Sequence, residues 1–97
     1  MCGVGLAVEM QPSERGAALA DFMKGVAPDG AGIAVRRHDN VTVTVDTRAQ
    51  DYYTVSVEGS GMAIFNLDGS VHRGMTPTDR RSRAEIDRAI SQLPSAP

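Results

Sequence analysis

Apolar and polar residues alternate most cleanly over residues 41–46, where Val41, Val43 and Val45 fall on one side of an extended chain and Thr42 and Thr44 on the other. A period of two predicts a strand with one face buried. The pattern returns over residues 52–58, with Tyr53, Val55 and Val57 opposed to Tyr52, Thr54 and Ser56. Val4, Leu6 and Val8 predict a first strand over residues 3–10, and residues 31–37, 62–67 and 70–73 read as three more, the last of them short.

Helical spacing replaces alternation in two places. Pro12 and Ser13 open the first, with Ser13 as the expected N-cap, Glu14 in the first turn, and Leu19, Phe22, Met23 and Val26 along one side, so a helix is predicted over residues 13–25. Thr76, Pro77 and Asp79 supply an N-cap, a first-turn proline and a capping-box-like spacing for the second, whose apolar stripe is Ile86, Ile90 and Leu93 around Ala89. Pro94 ends it.

The punctuation between elements is equally local. Pro28-Asp29-Gly30 stops the first helix, His38-Asp39-Asn40 reads as a hairpin turn, and Gly59-Ser60-Gly61 separates two strands. Asp68-Gly69 predicts a type I′ turn, in which both central residues need positive φ. The order is strand, helix, strands, helix: an α+β domain with one mainly antiparallel sheet of about five strands and two helices packed on one face, spanning residues 1–93, followed by a tail over 94–97.

Composition narrows the function classes. The chain has 97 residues, only two Phe and two Tyr and no Trp, so the core is built from aliphatic side chains. A net charge of −2 and a pI near 5.5 offer phosphate and anionic membranes no overall attraction, which makes nucleic acid an unexpected partner. One cysteine cannot form an internal disulfide, no secretory leader pattern is present, and apolar runs stay far short of the ~20 residues of a spanning helix. A cytoplasmic protein without a membrane partner is expected.

That cysteine is Cys2, in Met1-Cys2-Gly3-Val4-Gly5. If Met1 is removed, its thiol and α-amine sit on one residue, and an amine with a pKa near 7.7–8 can serve as base for the neighbouring nucleophile. This opening, the helix carrying Leu19, Phe22 and Met23, and Pro28-Asp29-Gly30-Ala31-Gly32-Ile33 together resemble the start of class II glutamine amidotransferases, the N-terminal-nucleophile family. The resemblance covers residues 1–33. It implies a glutamine amidohydrolase or amidotransferase activity in which Cys2 attacks the side-chain amide, in a domain of two sheets. Val26 and Ala27 stand where the family has Arg-Gly, Asn66 is followed by Leu67 instead of glycine, and Arg36 with Arg37 would have to replace the family's substrate-carboxylate arginine.

Other chemistry has less to stand on. His38 and His72, with Asp39 and Asp68 nearby, lack the ligand spacing of a zinc site, and neither a metal nor a cofactor is expected. Arg73, Arg80, Arg81, Arg83 and Arg88 make the last third basic, but Arg81 with Glu85 and Arg83 with Asp87 are spaced as i,i+4 pairs on a solvated helix face. The sequence therefore reads as a small module that binds another protein, an inhibitor or regulator of the kind carried by phages and mobile elements. Its expected anchors are Tyr52, Tyr53 and these arginines. A fragment resembling an amidotransferase is the alternative.

Overall fold

The computed structural model describes residues 10–48, 52–72 and 80–95. The expected first strand (apart from Met10), Cys2, Arg73 and the Thr76–Asp79 helix opening lie outside them, as does the side chain of Arg80.

The order of described elements is α1 (Pro12–Met23), β1 (Ile33–His38), β2 (Val41–Asp46), β3 (Tyr52–Val57), β4 (Gly61–Asn66) and α2 (Arg80–Ser91). The four strands form one antiparallel meander in the order β1-β2-β3-β4. About five strands were expected. Residues 70–73, expected as a short strand, contribute a single bridge, Phe65 with Val71, among the described residues.

Helix α1 starts earlier than expected. Gln11 is the N-cap rather than Ser13, because Pro12 at the first helical position has its φ preset and lacks the N–H that would go unbonded there. Glu14 reaches back to accept from the Gln11 amide at 3.2 Å. Gly25 adopts φ +78 and turns the chain out two residues after the helix ends.

The alternation read from the sequence decides which face is buried. Val41, Val43, Tyr53, Val55, Val57, Ala63 and Phe65 point to one side of the sheet, where Leu19, Phe22 and Met23 of α1 and Ile86 and Ile90 of α2 close over them. Phe22 and Phe65 are fully buried, each contributing about 1.5–3 kcal/mol by leaving water. Tyr53, expected as a surface anchor, belongs to this core.

Of two turns, the expected hairpin at His38-Asp39-Asn40 forms and the Asp68-Gly69 turn differs from expectation. Asp39 takes φ +54 between β1 and β2, a conformation its short polar side chain tolerates. Around Asp68-Gly69 only Gly69 is left-handed, at φ +90, so the turn is not type I′. It is a three-residue loop closed by Gly69 N–H to Asn66 O at 2.9 Å and Asn66 N–H to Ser70 O at 2.8 Å.

Candidate functional site

The Pro28-Asp29-Gly30 turn is held by one carboxylate. Asp29 Oδ1 accepts from the amides of Ala31 at 2.8 Å and Ile33 at 3.0 Å, while the Asp29 amide donates to Ile33 O at 2.9 Å. The Ile33 and Ala31 N–H bonds hold this carboxyl below its usual range. Asp29 thereby ties off the first residue of β1.

Arg36 and Arg37 are occupied within the fold. Arg36 donates to Phe22 O at 2.8 Å and lies 4.4 Å over the Phe22 ring, so its charge sits at the carbonyl end of α1. Arg37 donates to Asp39 O at 3.1 Å and approaches Glu58 at 3.6 Å. These four contacts position the basic pair along β1 and leave Arg37 largely exposed.

The opposite face of the sheet is where the tyrosine readings separate. Tyr52 projects there, 37% exposed, and stacks on His72 with ring centroids 5.0 Å apart. His72 Nδ1 lies 3.0 Å from Asn66 Oδ1, Asn66 Nδ2 donates to Ser70 Oγ at 2.9 Å, and Ser70 Oγ donates to Asp68 Oδ1 at 2.6 Å. The Ser70 hydroxyl and amide hold the Asp68 carboxyl below its usual range. Tyr53, by contrast, is buried, and loss of water pushes its phenol up.

The expected arginines of α2 do not converge. Arg81 and Arg88 are exposed and Arg83 is partly buried. Arg81 approaches Glu85 at 3.8 Å as the i,i+4 spacing implies. Asp87, expected on the same solvated face, is instead fully buried and bound by a residue the sequence reading passed over. Arg15 gives Asp87 two bonds, Nε to Oδ1 at 2.9 Å and a terminal nitrogen to Oδ2 at 2.8 Å. It also donates to Gly69 O at 2.7 Å and Met10 O at 3.0 Å, with its guanidinium carbon 4.6 Å over the Phe65 ring. The Met10 amide donates to Asp87 Oδ2 at 2.9 Å. One signal was available: Arg15 stands at i−4 and i−7 to Leu19 and Phe22, and Asp87 sits between Ile86 and Ile90, so opposite charges interrupt two apolar stripes. With every donor and acceptor turned inward, this network joins elements and leaves nothing to offer a ligand.

His38 and Asp39, 3.4 Å apart, line a small cleft of about 110 Å³ with Asn40, Val41, Ala89 and Gln92. Among the described residues no three His, Cys, Asp or Glu are grouped to hold a metal ion, and no helix is long and apolar enough to cross a membrane. Comparison with protein-family models, with curated proteins and with solved structures gave no match.

Proposed function

We propose that the chain is a small protein-interaction module, an inhibitor or regulator that works by binding a protein partner through the part of its sheet the helices leave open. One observation carries this reading: both helices pack on the same face, so the other presents Val35, 50% exposed, and the Tyr52–His72 stack. Large amphipathic side chains on a rigid element lose little freedom on binding, which suits them as anchors. The single cysteine and the acidic net charge favour a protein partner in the cytoplasm over nucleic acid.

Affinity capture from the host with the wild-type chain and a Tyr52→Ala variant tests the proposal. The wild type should retain a protein that the variant loses. If neither retains one, the reading fails.

The Asp29 turn between α1 and β1 favours a second reading, a class II amidotransferase-like fragment with Cys2 as nucleophile. Intact mass decides it. Loss of Met1 together with fast labelling of Cys2 by a glutamine-mimicking electrophile would support catalysis, and retention of Met1 would exclude it.

A further inference from the structure

Thr47 N–H donates to Gly32 O at 2.8 Å, one residue beyond the Ile33–Asp46 end of the β1–β2 ladder, and this bond fixes the parity of the pairs that follow. Antiparallel pairs alternate, so Ala34, Arg36 and His38 turn their backbone groups toward β2, and Ile33, Val35 and Arg37 turn theirs away. The Ile33 amide and carbonyl are both bonded to Asp29. Among the described residues, Val35 and Arg37 are left with two N–H and two C=O groups directed outward from the sheet edge.

We propose that this edge of β1 receives an extended acidic segment of a protein partner as a fifth antiparallel strand. The inference rests on the interaction-module reading and names the partner's chemistry. Arg36, Arg37 and His38 follow one another in β1, and the strand holds no carboxylate. A second copy of the chain is a poor occupant. Antiparallel self-pairing centred on Val35 would oppose Arg37 to Ile33, whose groups Asp29 already holds. Centring on Arg36 uses all four free groups but sets Arg36 opposite Arg36 of the other copy, with Cα atoms about 4.5 Å apart. Glutamate or aspartate opposite Arg36 and Arg37 turns that repulsion into attraction, and Val35 takes an apolar neighbour on the open face.

The test uses the full chain and two synthetic extended peptides, one with the core Thr-Glu-Glu-Val-Thr, which sets its acids opposite Arg37 and Arg36 and its valine opposite Val35, and one with Thr-Lys-Lys-Val-Thr. Amide hydrogen exchange should slow at Val35 and Arg37 with the glutamate peptide, and not with the lysine peptide. Val35→Pro removes one outward N–H without touching the β1–β2 ladder, and an edge strand tolerates proline at such a position. It should abolish binding while circular dichroism shows an intact fold. Arg37→Glu, on the exposed side, provides a second variant and should weaken binding at least about tenfold. Equal binding of the two peptides, or unaltered binding by Arg37→Glu, overturns the proposal. So does protection of Val35 that rises with protein concentration alone, since the occupant would then be a second copy. A Val35→Pro chain that still captures the host partner removes the edge inference and leaves the interaction module standing.

Discussion

The guanidinium of Arg15 and the carboxylate of Asp87 meet through two hydrogen bonds, 2.9 and 2.8 Å long, between residues 72 positions apart, with both side chains almost wholly out of water. Such a pair is costly to bury and more costly to break. Asp87→Ala should therefore lower stability by about 3–5 kcal/mol in urea unfolding, because it strands a cation beneath two helices. The double variant Arg15→Met/Asp87→Leu should recover most of that loss. Arg81→Ala, which removes an exposed pair with Glu85, should change stability by no more than about 0.5 kcal/mol.

Gly69 and Gly59 have nearly the same backbone, at φ +90 and +88, but different neighbours. A Cβ on Gly69 would run into Pro12 O and the Gly16 amide, whereas one on Gly59 meets nothing within 4 Å. Gly59→Ala should cost about 1–2 kcal/mol, the ordinary penalty for a left-handed residue. Gly69→Ala should cost clearly more, since the loop must also back away from α1 and take its bond to Arg15 with it. Paired thermal melts of the two variants measure the difference.

Asp29 ionises more readily in the folded chain than its ordinary value of 3.8, owing to the Ile33 and Ala31 amides. A depressed folded pKa means that the unfolded chain binds the proton first. The contribution is fully present above about pH 4 and is lost as pH falls through the lower folded value. Asp29→Asn should flatten the acid side of a stability-against-pH profile while leaving its slope near neutrality unchanged.

Tyr53 has the opposite sense. Burial raises its phenol above 10.0, so the unfolded chain gives up that proton first and stability drains away as pH climbs past the unfolded value. In a spectrophotometric titration Tyr53 should ionise above its usual range, and Tyr53→Phe should remove that late step.

Where local chemistry decided the outcome, the sequence was readable. The Val41/Val43/Val45 and Tyr53/Val55/Val57 alternations identified the buried sides of β2 and β3 because a period of two has only two phases. The first helix was placed within a residue or two, but its cap was misassigned: Ser13 is the better capping side chain in isolation, and Pro12 can occupy the first turn only if the cap precedes it. Phase already set Tyr52 and Tyr53 on opposite faces, and naming both as anchors ignored that the valine side, with Tyr53, is the buried one. Arg15 and Asp87 were missed for a different reason. Each looks like a solvated charge on its own helix, and only the three-dimensional approach of α1 to α2 and the Gly69 loop makes them partners. The free groups of Val35 and Arg37 follow from ladder parity and from Asp29 closing on Ile33, neither of which a residue pattern contains.

Both backbone groups of Met10 end on the buried ion pair, its amide on Asp87 and its carbonyl on Arg15. A mechanical load applied at that residue would be carried sideways into the second helix instead of peeling the first one open from its end. Under tension the two helices should consequently yield together, in a single rupture.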